Sequence, residues 1–159
     1  MKKETLFLKI SLFLVGLIIS LFALLVFSVL FEEAGRGSTQ MAIVLYALMT
    51  IMTVTFIPFF GALYHTKQLL NYIDKNQAFS EHSVNSLKII KKFAASISIL
   101  YLISMPLFFV IGEVDDAPGV ILVGGMFVFS PLVIAIFTTV LEKLLTNALV
   151  IKKENDLTI

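Results

Sequence analysis

The sequence predicts an all-α integral membrane protein. We expect a bundle of four transmembrane helices with both termini cytoplasmic and an amphipathic cytoplasmic segment between helices 2 and 3. Three observations lead to this fold class. The 159 residues are 58% hydrophobic and only 14% charged, and their mean hydropathy of +0.99 is far above that of soluble domains. Four long runs carry no charged residue, and almost all the basic residues lie on one side of those runs.

The charge-free runs cover residues 10–31, 41–64, 93–112 and 120–141. A helix rises about 1.5 Å per residue, so about 20 residues cross a hydrocarbon core of about 30 Å. Each run is therefore long enough to span a membrane. Because open strands leave backbone groups unpaired in lipid, helices are the predicted form. Residues 1–159 are predicted to form a single four-helix transmembrane domain.

The distribution of basic residues predicts the orientation. All the lysines precede the first run, lie between the second and third runs, or follow the fourth, whereas Arg36 is the one basic residue of the opposite loops. Cytoplasmic loops carry the excess of Lys and Arg, which predicts a multi-pass protein with its N and C termini inside. The opposite loops, EEAGRGSTQ and EVDDAPG, are short, and the first is predicted to be flexible.

Composition also limits the chemistry. The chain has no cysteine and two histidines, and no ionisable residue falls inside a charge-free run, which weighs against proton pumps, ion exchangers and intramembrane proteases. His65 and His82 are interpreted as solvated loop histidines. We predict no catalytic, cofactor or metal site, and an enzyme is the least favoured class.

The cytoplasmic segment 65–92 is the one sizeable polar stretch. The second helix is predicted to continue to about Asp74, and residues 75–78 to break it, with Asn76 suited to a left-handed conformation. Ser80 is a good N-cap for a new helix, along which Val84, Leu87 and Ile90 form an apolar stripe. A plain connector at the headgroups and a docking platform for a cytoplasmic protein both fit this pattern.

The tail, residues 142–159, continues the fourth helix. Apolar residues keep helical spacing, so we predict an extension to about Lys152, followed by a frayed terminus.

Two short motifs support a family resemblance. Phe79 and Ser80 match a Phe-Ser turn before a Leu-Ile helix, and the tail matches an acidic closing motif through Glu154, Asn155, Asp156, Leu157 and Thr158. With four spans, these motifs resemble the bacterial family called domain of unknown function 2975 (DUF2975). Asn76 stands where that family often has Gly. The resemblance implies location in the bacterial cytoplasmic membrane and, by analogy with neighbouring genes, an Xre-type helix-turn-helix regulator as partner, with the motif residues as docking or structural determinants.

Two function hypotheses remain. The first is a non-enzymatic regulatory membrane protein that binds or sequesters a cytoplasmic helix-turn-helix regulator, without contacting nucleic acid directly. The alternative is a small transporter, channel or lipid-responsive membrane protein, with a seam of hydroxyl groups through the bundle: Thr50, Thr53, Thr55, Ser96, Ser98, Ser104, Thr138 and Thr139. The lipid bilayer is a partner in either case, and a homo-oligomer is open in both.

Overall fold

The computed structural model describes residues 2–158 and consists of four long α-helices joined by short turns. They are α1 (Lys2–Arg36), α2 (Thr39–Asp74), α3 (Glu81–Val114) and α4 (Gly119–Leu157). Each contains one charge-free run, and all four are long and apolar enough to cross a membrane. The predicted all-α, four-helix class is confirmed. The turn after α2 and both ends of the described chain lie at one end of the helices, which we call the lysine-rich end.

The first connection is shorter than predicted. α1 continues through Arg36, whose guanidinium donates to the Glu32 carboxylate at 2.5 Å, one helical turn away. Ser38 then caps α2 by accepting a hydrogen bond from the Met41 amide at 3.2 Å. The predicted flexible loop is therefore wrong, because this helix-stabilising pair and this cap leave only Gly37 and Ser38 outside the helices.

The helices pack in chain order. α1 packs on α2, α2 on α3 and α3 on α4, and within residues 2–158 no other pair of helix backbones comes close. The largest buried cluster joins all four helices in the half away from the lysine-rich end: Ala34, Met41, Leu45, Leu48, Met52, Tyr101, Phe108, Ile111 and Val128. α1 and α4 are therefore the most lipid-exposed helices.

Glycines allow the closest approaches between helices. A Cβ placed on Gly61 of α2 would lie 2.7 Å from the Phe93 ring of α3, and one on Gly124 of α4 would lie 2.7 Å from the Phe108 ring. Small residues at such positions let helices pack tightly in lipid, where no hydrophobic force drives them together.

Two of the eight predicted seam hydroxyls join neighbouring helices. Thr55 lies 3.3 Å from the Tyr101 hydroxyl, and Ser98 donates to the Val128 carbonyl at 2.8 Å. The other six donate to carbonyls of their own helices. Their donors are thus already used in helix-backbone contacts.

Candidate functional site

The turn between α2 and α3 has the geometry expected from the sequence. α2 ends at Asp74, and Asn76 has a φ of 56°, in the left-handed region. The Gln77 amide then donates to the Tyr72 carbonyl at 2.8 Å, which closes the helix end. Asparagine tolerates this conformation better than most residues, and the left-handed conformation predicted for Asn76 is confirmed.

Two serines fix the start of α3. Ser80 accepts a hydrogen bond from the Ser83 amide at 3.3 Å, which confirms the predicted N-cap. Ser83 is fully buried, and its hydroxyl donates to the Gln77 carbonyl at 3.0 Å. The sequence interpretation missed Ser83, although its position three residues after the cap is a signal for such a network. Ser80 therefore acts structurally, by setting the turn.

Phe79, by contrast, is presented outwards. Its side chain is 55% exposed, and it borders a groove of about 440 Å³ at the lysine-rich end. We call this the docking groove. It is formed by the end of α2, the turn, the start of α3 and the extension of α4: Leu69, Ile73, Ala78, Phe79, Leu87, Leu141, Leu144, Leu145 and Ala148. All nine lining residues are apolar.

Two ion pairs hold α4 against α3 beside this groove. The Lys91 ammonium lies 2.5 Å from the Glu142 carboxylate, and both side chains are mostly buried. Farther out, Lys153 lies 2.6 Å from Glu81, with both side chains exposed. The hydrogen bond and positive charge of Lys153 lower the pKa of Glu81 below its ordinary value.

The tail motif lies beyond these pairs. Glu154 to Leu157 form the last turn of α4, and the Thr158 hydroxyl donates to the Glu154 carbonyl at 2.7 Å. The predicted helix end near Lys152 is therefore wrong by about one turn, because this bond and the Glu81–Lys153 pair support the last residues. Leu157 is 86% exposed. The structure thus brings Phe79 together with α4, while the tail motif lies outside the groove.

The interpretation of both histidines as solvated loop residues is wrong, because His65 lies in α2 and His82 in α3, and of the two His82 alone is exposed. His82 stacks on Tyr72, with ring centroids 5.7 Å apart. His65 packs against Phe93, and its Nδ1 is buried with no hydrogen-bond partner among the described residues. Over residues 2–158, no three His, Asp or Glu side chains are grouped to hold a metal ion.

Comparison with known proteins places the chain in a family. The model of the family described as "Protein of unknown function (DUF2975)" matches residues 29–159. This chain belongs to the DUF2975 family. The match includes both motifs of the DUF2975 protein, and the resemblance stated from the sequence is confirmed.

A full-length relative agrees with the membrane assignment. The DUF2975 protein is 46% identical over 162 residues to the "Uncharacterized membrane protein YoaS" of Bacillus subtilis (strain 168), covering 99% of each chain. No solved structure matches it.

Proposed function

We propose that this DUF2975 protein is a non-enzymatic regulatory membrane protein that holds a cytoplasmic helix-turn-helix regulator at its docking groove. In this proposal the lysine-rich end faces the cytoplasm of a bacterium, with both termini inside, as the excess of basic residues favours. The partner class comes from the family resemblance, and the place of binding comes from the groove.

One observation carries this proposal. The docking groove is apolar, yet eight of its nine lining residues lie outside the four charge-free runs, in segments 65–92 and 142–159. An apolar surface in a lipid-facing segment needs no partner. A contiguous apolar surface beyond the membrane spans is typical of a protein-binding site.

The groove suits an amphipathic helix. Helix-in-groove recognition places the apolar face of a helix into a hydrophobic groove, and a helix-turn-helix protein is built from short helices of this kind. The ion pairs Lys91–Glu142 and Lys153–Glu81 lie beside the groove on α3 and α4, so its edge offers charges of both signs to the polar side of a bound helix. A regulator held by such a helix would stay at the membrane.

We infer that the regulator is bound without any catalytic or covalent step. None of the groove-lining residues is ionisable or nucleophilic, and the four charged groups of the two ion pairs beside the groove are paired with each other.

Association with a helix-turn-helix regulator of the Xre type, the class that the family resemblance implies, tests the proposal. The full chain in nanodiscs should retain the purified regulator, and Phe79→Asp or Leu145→Asp should weaken the Kd at least tenfold, since truncating a central anchor costs about 2 kcal/mol. Ile151→Asp is the matched control, because Ile151 is an exposed residue of the same α4 extension that does not line the groove.

Equal retention by Leu145→Asp and Ile151→Asp would contradict the groove. Deletion of residues 154–159 tests the tail motif separately, since Glu154 to Thr158 do not line the groove. Retention that is unchanged by this deletion would remove Glu154 to Thr158 from the docking surface.

The lipid-responsive form of the alternative function is favoured by one observation, a second groove between α1 and α2. None of the eight seam hydroxyls lines either groove.

A further inference from the structure

A second groove lies between α1 and α2, and all of its lining residues belong to these two helices. Its volume is about 490 Å³, and most of its wall is apolar: Leu12, Phe13, Gly16, Leu17, Ser20, Phe60, Leu63 and Tyr64, with Lys9 and Lys67 at the lysine-rich end. Both charged residues that line it are lysines. An apolar groove closed by positive charge at one end has the polarity of a phospholipid with an anionic headgroup.

The position of the groove matches one leaflet. Along α1 its lining runs from Lys9 to Ser20, which corresponds to about 16 Å of helix and therefore to about half of a hydrocarbon core of about 30 Å. Lys9 precedes the first charge-free run, and Lys67 follows the second. The two ammonium groups are thus at headgroup depth, and the apolar wall is at acyl-chain depth.

The mouth offers donors that fit a phosphodiester. The Lys9 ammonium uses one donor on the Asp74 carboxylate at 2.5 Å and keeps two more. Lys67 forms no ion pair with any residue of the described chain and is exposed. The Tyr64 hydroxyl accepts from Gln68 at 3.0 Å, so its own proton remains available to donate.

The one glycine that lines this groove is not open to a helix of a second copy. Gly16, where a second helix could approach, is already covered by Leu63, which lies 3.0 Å from the Cβ position.

We infer that the α1–α2 groove binds one acyl chain of an anionic phospholipid, whose phosphate is held by Lys9, Tyr64 and Lys67. A basic pocket between transmembrane helices is a recurrent lipid-headgroup site. A zwitterionic lipid fits less well, because its ammonium group would face the two lysines. This site is separate from the docking groove, so it stands independently of the proposed function.

Tryptophan fluorescence tests this site, because the chain contains no Trp. Phe60→Trp places one fluorophore in the groove. Phe137→Trp is the matched control, since Phe137 is an exposed residue of α4 outside the groove and, like Phe60, lies four residues before the end of its charge-free run. Each variant is reconstituted in vesicles that contain brominated phosphatidylglycerol or brominated phosphatidylethanolamine.

The quenching of Trp fluorescence by the brominated lipids gives their relative association constants at the Phe60→Trp site. The constant for phosphatidylglycerol should be about fivefold larger than that for phosphatidylethanolamine, the ratio expected for one lysine near an anionic headgroup. The control should show no preference. Lys67→Gln should bring the ratio towards one, while Lys67→Arg should keep it. Equal quenching by both lipids at Phe60→Trp, a ratio unchanged by Lys67→Gln, or cross-linking of two copies through the groove with no quenching would each overturn the inference.

Discussion

Gly124→Ala adds one methyl group at the contact between α4 and α3. The added Cβ would lie 2.7 Å from Cγ of Phe108 and within 3.0 Å of both Cδ atoms. Because Cγ is the first ring atom, rotation of the ring about its own axis cannot move it away. Phe108 is only 4% exposed, so its surroundings leave little room for another rotamer. The two helices must therefore separate, or the ring must leave its site.

The neighbouring glycine supplies the reference. A Cβ on Gly125 would meet no atom within 4 Å, so Gly125→Ala gains the helix propensity of alanine, up to about 1 kcal/mol, without a clash. Gly124→Ala has the same gain but also the overpacking cost of about 1–3 kcal/mol. The difference between the two variants isolates the clash, which corresponds to about a 5- to 150-fold change in the unfolding equilibrium.

Reversible unfolding of the full chain by SDS titration in mixed micelles measures both variants. Gly124→Ala is expected to be less stable than Gly125→Ala by about 1–3 kcal/mol. Phe108→Ala should cost less in the Gly124→Ala background than in the native chain, because removal of Cγ and the ring relieves the clash. Equal stability of the two alanine variants would refute this account of the α3–α4 contact.

Three other changes test contacts at the lysine-rich end. Asp74→Asn weakens the pair with Lys9, in which both side chains are about one-quarter exposed or less. It should lower the free energy of unfolding in the same titration by about 1–2 kcal/mol, the contribution of a charged hydrogen bond that is partly screened by solvent. Ser83→Ala removes the buried donor to the turn and should speed amide hydrogen exchange across residues 75–80, with a cost of about 1–2 kcal/mol. The pKa of Glu81 is lowered, so its carboxylate is ionised at neutral pH and the contact with Lys153 should be fully formed. The contact should be lost as the pH falls through the pKa of Glu81. The mobility of a spin label on the α4 extension would report this loss.

Each of these three changes has a control. Glu32→Gln removes an ion pair that is exposed and lies within one helix. A decrease of more than about 0.5 kcal/mol in the free energy of unfolding would contradict the expectation that the less exposed Lys9–Asp74 pair contributes more to stability than this one. Ser96→Ala removes a hydroxyl bonded to its own helix and should leave the turn unchanged. Lys153→Gln should raise the pKa of Glu81 towards its ordinary value, and an unchanged titration would show that the pair does not form in solution.

Local chemistry made the central turn predictable from the sequence. The end of α2 at Asp74, the left-handed Asn76 and the Ser80 cap each depend on residues within one helical turn. The end of α4 was less predictable, because Lys153 contacts Glu81, a residue 72 positions away. A tail that looks frayed by itself gains support from a helix that only the fold brings near.

The two grooves could not be predicted for a related reason. Leu69, Leu87 and Leu145 each read as an apolar position on a separate helix, and a periodic pattern does not indicate that three faces leave a gap between them. The same holds for Lys9 and Lys67. In the sequence these lysines indicate only the orientation of the chain in the membrane, whereas the packing of α1 on α2 places both at the mouth of the second groove.

The packing of helices in chain order has a consequence for biosynthesis. Since within residues 2–158 the backbone of each helix comes close only to helices next to it in the chain, a nascent chain can assemble helix by helix as each span leaves the translocation machinery. Contacts between neighbours in the chain favour rapid assembly. The docking groove forms last, because residues between Leu141 and Ala148 of α4 make up part of its wall. It is therefore completed only when the last helix emerges, so a prematurely terminated chain would reach the membrane without a complete groove.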